Sequence, residues 1–158
     1  TEHILLALLQ QPEGLVPRVL DKLGADAEMI RRRVREVLDK TPKVAGNFGN
    51  QVSVYITPRA NRVLQGASDE ANRLKDEYIG TEHLFLAIAA EREGPSARIL
   101  REFGVDQEKI YQALVSIRGN QRVTDPDAES KYQILEKYSR DLTAAAKETI
   151  TTRCLMRN

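Results

Sequence analysis

The amino-acid sequence predicts an all-α fold of two pseudo-repeated helical bundles, and three observations lead there. Residues 1–38 align without a gap onto residues 81–118, an offset of 80. In both copies apolar residues recur at three- and four-residue spacing, the period of a helix that buries one face. Glycine and then aspartate fall at matched positions, Gly24/Asp26 and Gly104/Asp106, where one helix should stop and the next be capped. Thirteen aligned pairs are identical: the Thr, Glu and His that open each copy, then Leu6/Leu86, Ala7/Ala87, Glu13/Glu93, Gly14/Gly94, Arg18/Arg98, Leu20/Leu100, Gly24/Gly104, Asp26/Asp106, Glu28/Glu108 and Ile30/Ile110. Self-similarity at a fixed period is the mark of a duplicated structural unit.

Each copy reads as three helices. The first opens at Thr1 or Thr81 as N-cap, with an acidic residue just inside, and runs toward Gly14 or Gly94 through Ile4, Leu5, Leu8 and Leu9, or Leu84, Phe85 and Ile88. The second, about Val16–Leu23 and Ser96–Phe103, stops at Gly24 or Gly104, where a positive φ is expected. The third carries the stripe Ile30, Val34, Val37, Leu38 in copy one and Ile110, Leu114, Ile117 in copy two. A further helix opens at Thr57-Pro58, with Thr as N-cap and Pro in the first helical position, and reaches about Lys75. The predicted organisation is a first repeat over 1–40, a Gly- and Asn-rich linker over 41–56, a second repeat over 57–118, and a segment 119–158. That last segment comprises a linker, an amphipathic helix marked by Tyr132, Leu135, Tyr138 and Leu142, and a tail.

Composition narrows the function classes. Among 158 residues, 24 basic and 23 acidic side chains leave a formal charge of +1, which gives no global attraction to nucleic acid or anionic lipid. The longest apolar run, Ile4–Leu9, falls far short of the roughly 20 residues that cross a bilayer. A single cysteine, Cys154, excludes an intrachain disulfide framework and a Cys-rich zinc site. A cytoplasmic protein without membrane or nucleic-acid partners is the expectation, although four arginines within residues 31–35 leave a small nucleic-acid-binding helical protein as an alternative. Copy two replaces them with Tyr111, Gln112, Ala113 and Val115, so the basic run is no part of the duplicated design.

The repeated TEH(I/L)(L/F)LA…EG…R(V/I)L…G(A/V)D…I pattern, at matched spacing over residues 1–118, resembles the N-terminal double-repeat domain of Clp AAA+ chaperones. Residues 118–143, RGNQRVTDPDAESKYQILEKYSRDLT, are similar to the linker that leads into the first ATPase module of the ClpB-type disaggregases. The resemblance implies recognition of misfolded or aggregated clients by a domain tethered to an ATP-driven hexamer that works with a DnaK-type chaperone. It implies an apolar client groove at Leu64, with Val63 and Ala67 as neighbours, and exposed acidic contacts at Asp76 and Glu82. The ClpC-type relatives offer an alternative, in which the Glu of each TEH unit, Glu2 and Glu82, receives the guanidinium of a phosphoarginine-tagged protein or serves an adaptor.

Each candidate also has a plainer reading. Glu2 and Glu82 offset the positive end of a helix dipole, and Leu64 and Val63 could simply pack the second bundle. His3 and His83 lack the second histidine or cysteine that a metal site needs, and no motif sets a nucleophile beside either, so structural roles in the first turn are expected. The resemblance implies an opening helix ahead of the first TEH unit, and the expectation is a first repeat that lacks it. Ile4, Leu5, Leu8 and Val34 should then be partly uncovered and should recruit the Tyr132–Leu142 segment, from this chain or from a second copy.

No GxxxxGK[ST] phosphate cradle occurs in the sequence, so no nucleotide cofactor and no catalysis are expected. The purified chain should turn over no ATP above a protein-free control. Turnover that follows the protein through purification and disappears on substitution within it would overturn this.

Overall fold

Helix-forming stretches joined by Gly and Pro leave little room for anything but a helical assembly. A computed structural model describes residues 1–41, 56–119 and 122–124, all within Thr1–Pro126. It has seven helices among the described residues: α1 Glu2–Leu9, α2 Leu15–Lys22, α3 Ala27–Lys40, α4 Pro58–Leu74, α5 Thr81–Ala90, α6 Pro95–Glu102 and α7 Gln107–Arg118. The linker core at 42–55 and the Tyr132–Leu142 segment lie outside the described residues.

Local chemistry sets most boundaries. Asp26 accepts from the amides of Glu28 and Met29, and Asp106 accepts from that of Lys109, so both third helices are capped as the duplicated aspartates predict. Gly24 and Gly104 take φ of 68° and 71°, a left-handed turn closed by Ala25 N–H to Leu20 and Val105 N–H to Leu100. The Thr57 hydroxyl caps α4 by accepting from Ala60 N–H at 3.2 Å. Two expectations are corrected. α1 and α5 end at Leu9 and Ala90, several residues before Gly14 and Gly94, which instead serve as N-caps of α2 and α6. Thr81 is the first helical residue behind an N-cap at Gly80, and the Thr1 hydroxyl turns to the Glu2 carboxylate and caps no amide.

The two copies do not build separate interiors. One buried cluster takes Leu5, Leu20, Ile30 and Val34 from the first repeat together with Phe85, Leu100, Ile110 and Leu114 from the second. α1 packs on α3 and reaches α5 and α6, while α2 lies against α5 and α7. This corrects the expectation of an uncovered first repeat. Leu5 and Val34 are fully buried and Leu8 nearly so, with only Ile4 left half-buried. The apolar stripe of one copy is covered by helices of the other, and sequence periodicity shows that a face is buried without showing against what.

A shared core predicts shared stability. Leu100→Ala should cost about 2–5 kcal/mol. Because Leu100 touches a cluster common to both repeats, amide exchange should rise together in α1–α3 and α5–α7. Exchange confined to the second repeat would show that the halves unfold separately.

Candidate functional site

The longest described helix, α4, positions the candidate residues. Val63, Ala67 and Ala71 follow one another at four-residue spacing and point into the core, where α4 meets α5 through small side chains. The contact is close: a Cβ added to Gly66 would sit 3.3 Å from that of Ala87. Leu64, rotated by about 100° from Val63, is 39% exposed. The three residues expected to line one groove are therefore split. Leu64 faces solvent, and Val63 and Ala67 are buried. An open groove of about 700 Å³ does run beside α4, floored by Val63, Gly66, Ala87 and Ala90, but neither Leu64 nor Ala67 lines it. Its rim mixes Arg59, Arg62, Asp69 and Glu93.

Beyond α4 the chain turns through Lys75, which takes a left-handed φ of 59°, and buries the Asp76 carboxylate completely. Arg118 Nη2, at the end of α7, donates to both Asp76 oxygens at 2.8 Å, and Val123 N–H donates to Oδ1 at 2.7 Å. His83 completes the set, with Nε2 2.9 Å from Oδ2. Because His83 Nδ1 accepts from Gly80 N–H at 2.8 Å, the ring proton sits on Nε2 and is directed at Asp76. Arg118 Nη1 lies 3.5 Å from Glu82 Oε1, and Glu77 N–H donates to the Val123 carbonyl at 2.9 Å. Burial alone would raise the Asp76 carboxyl. The Val123 amide, the Arg118 guanidinium and His83 outweigh it and hold Asp76 below the ordinary 3.8.

This arrangement corrects the expectation that Asp76 and Glu82 are exposed, because both are buried around a guanidinium. The spacing rules could not reveal it, since the partner, Arg118, lies 42 residues from Asp76. The ligand atoms of Asp76, Glu82 and His83 lie within 4.8 Å of one another, a separation that a metal ion could use. Arg118 already supplies the cation there, so the donor set fits a metal poorly.

Glu2 has a similar fate at the first repeat. Arg59, in the first turn of α4, donates to Glu2 Oε1 and, through Nε, to Glu91 Oε1 at 2.9 Å, while the Ser96 hydroxyl lies 3.3 Å from Glu2. Burial would raise the Glu2 carboxyl, but its hydrogen bonds, above all that from Arg59, lower it from 4.5 to about 2. Both duplicated glutamates thus sit beside an arginine that the repeat pattern does not contain. The histidines diverge: His83 is fully buried, and His3 is exposed. In the basic run of α3, Arg31 pairs with Glu28, and Arg33 lies 3.0 Å from Glu36 and 3.5 Å from Glu102, so much of its charge is matched locally.

Sequence reasoning also missed exposed apolar residues, among them Tyr78 and Ile79 in the α4–α5 loop, with Met29, Ile56 and Val115 exposed elsewhere. The signal of the loop pair was available: two large apolar residues between Glu77 and Gly80, outside any helical stripe.

The seven described helices, arranged as a duplicated unit with a common core and a buried carboxylate–guanidinium centre beside the second copy, define a helical double-repeat domain. The profile of the Clp repeat (R) N-terminal domain matches residues 1–103 and again 56–151, and the chain belongs to that family. It is 42% identical over 147 residues to the chaperone protein ClpB of Bdellovibrio bacteriovorus and 37% identical over 147 residues to that of Bacillus anthracis. Each match covers 93% of this chain and 17% of the relative. A chloroplastic ClpB3 of Arabidopsis thaliana is 35% identical over 148 residues, 94% of this chain and 15% of that protein. The chain therefore spans about a sixth of the length of these relatives. The crystal structure of the Hsp104 N-terminal domain from Candida albicans shares the fold, with a TM-score of 0.58 at 22% identity over 70% of this chain and 71% of that one.

Two outcomes follow from these ion pairs. Arg118→Met strands two buried carboxylates and should destabilise the protein by about 3–5 kcal/mol in denaturant unfolding. A loss under about 1 kcal/mol would mean the centre is well hydrated. Glu2, with a folded pKa below its unfolded value, adds stability above the unfolded 4.5 that is lost as pH falls through about 2. Because the carboxylate is partly open to water, about 1–2 kcal/mol should survive screening. Glu2→Gln should lose that increment at neutral pH and flatten the acid limb of the stability curve. An unchanged acid limb would remove Glu2 from the account.

Proposed function

We propose that this chain is a client-recognition module of a ClpB-type chaperone, binding exposed apolar segments of misfolded or aggregated proteins. The observation that carries this reading is a set of large apolar side chains left facing water on the second repeat, Leu64, Tyr78 and Ile79, in a chain of this family. Apolar surface of this kind loses about 25 cal/mol per Å² by staying wet, which favours covering it with an apolar partner. Leu64 keeps its proposed contact role. Val63 and Ala67 support it from beneath by holding α4 on α5. Asp76 and Glu82 contribute by fixing the loop that presents Tyr78 and Ile79. Attachment to an AAA+ hexamer, cooperation with a DnaK-type chaperone and a cytoplasmic location belong to the same proposal. No described helix is long and apolar enough to cross a membrane.

The phosphoarginine alternative is the weaker one. It needs Glu2 and Glu82 to offer a carboxylate to an incoming guanidinium, and Arg59 and Arg118 already stand there. A ligand would have to displace them.

Leu64→Glu tests the main reading. At an exposed position the substitution should leave helical content and melting temperature near those of the parent, while weakening binding of a reduced and alkylated unfolded protein about fivefold or more. Tyr78→Ser should act in the same direction. Retained affinity in both variants would exclude these residues from client contact.

A further inference from the structure

A second cavity lies at the far end of α4. It encloses about 530 Å³ between the end of α4, the face of α7, and Gly119 and Arg122 beyond it. Four cationic side chains surround it, Arg73, Lys75, Arg118 and Arg122, and none of the described residues lining it is acidic. The floor is apolar, from Leu114 and the half-exposed Val115, beside the ring of Tyr111. Arg73 is fixed in place: its guanidinium carbon stands 4.7 Å from the Tyr111 centroid, and its Nε lies 3.3 Å from Glu70, which Gln107 holds from the other side at 2.7 Å.

We infer that this cavity binds an acidic peptide segment in which carboxylates alternate with apolar side chains. Two features choose that occupant. The cations come from three separate elements and ring the opening, so they suit several carboxylates along a chain better than a single terminal one. The Leu114–Val115 floor rewards an apolar side chain at the centre, which a nucleotide phosphate does not supply. The cavity also sits where α4 and α7 end, and the carbonyl ends of two helices oppose any anion, so the cationic rim must outweigh them. Arg118 is buried between Asp76 and Glu82 and Arg73 is paired with Glu70, so the net attraction rests on Lys75 and Arg122, both exposed. Arg122 is held at the rim because Asp76 anchors its neighbour Val123.

Leu64 lies about 16 Å along the helix axis from Lys75, at about 1.5 Å per residue, whereas Tyr78 and Ile79 follow Lys75 by three and four residues. Leu64 is therefore the residue that tells the two readings apart.

The test uses the whole chain and a fluorescein-labelled, end-capped peptide alternating glutamate and leucine, with a glutamine–leucine peptide as control. The glutamate peptide should bind at least about fivefold more tightly, and more weakly as salt rises. Lys75→Asn combined with Arg122→Glu should weaken it about tenfold or more, asparagine being chosen because it tolerates the left-handed backbone of position 75. Leu64→Glu should leave it unchanged. Amide shifts on binding should centre on Tyr111 and Val115. Equal affinity for the two peptides, or an unchanged affinity in the double variant with an unchanged melting temperature, overturns the proposal. So does displacement by inorganic phosphate or ATP at concentrations below the peptide's own, which would make the cavity a phosphate site. Preference for a peptide with a free terminal carboxylate would overturn it in favour of chain-end recognition.

Discussion

A carboxylate removed from water must find donors for its oxygens or give up its charge, and the second repeat is arranged around that requirement at Asp76. Its donors come from three places in the chain: Arg118 at the end of α7, His83 in the first turn of α5, and the backbone of Val123 beyond α7. Satisfying one side chain therefore fixes the α4–α5 loop, the start of α5 and the exit of the chain at once. Pairs of this kind contribute little net stability compared with apolar residues of the same volume, but they are costly to break. Their effect is to select one arrangement. Here the selected arrangement exposes Tyr78 and Ile79 on the loop and places Arg122 on the rim of the α4–α7 cavity.

Duplication explains the frame, and divergence explains the chemistry. Both copies keep Gly and Asp at the turn into the third helix because the turn geometry and the cap are needed twice. Both keep Glu in the first turn of the first helix, yet the guanidinium each one meets lies outside the shared pattern. Arg59 is in α4, which precedes the second copy, and Arg118 aligns with Leu38. The repeated carboxylate is thus used to attach what is not repeated: α4 to the first repeat through Arg59, and α7 to the α4–α5 loop through Arg118. His83 is recruited to the buried centre while His3 stays on the surface, so identity of sequence position did not preserve environment.

Much of the fold was legible because its signals are local. The Thr57-Pro58 start, the duplicated Gly and Asp, and the four-residue spacing of Ile30 and Val34 each depend on neighbours within a turn or two. The misreadings fall where the deciding partner is distant. The first-repeat stripe was expected to be open for want of the family's opening helix, and its actual cover, helices of the second copy, cannot be read from its own periodicity. Asp76 and Glu82 were expected to be exposed because the resemblance implies acidic contacts there, whereas Arg118, which buries them, enters only through tertiary contact. Leu64, Val63 and Ala67 were grouped by proximity in sequence, whereas a helix separates neighbours by about 100° and reunites residues four apart.

That same rotation explains how one helix can serve several surfaces. Along α4, the Val63–Ala67–Ala71 row is committed to α5, and the small side chains at Gly66 and Ala67 bring the two backbones close. A helix packed so tightly has a fixed rotation, because turning it would drive Leu64 or Arg62 into the space now filled by alanine. Rotation being fixed, Leu64 is kept toward solvent, Arg59 toward Glu2 and Glu91, and Arg73 toward Tyr111. The exposure of Leu64 and the placement of Arg73 over Tyr111 are therefore consequences of one close helix–helix contact, while the Asp76 centre sets the rest of the cavity rim.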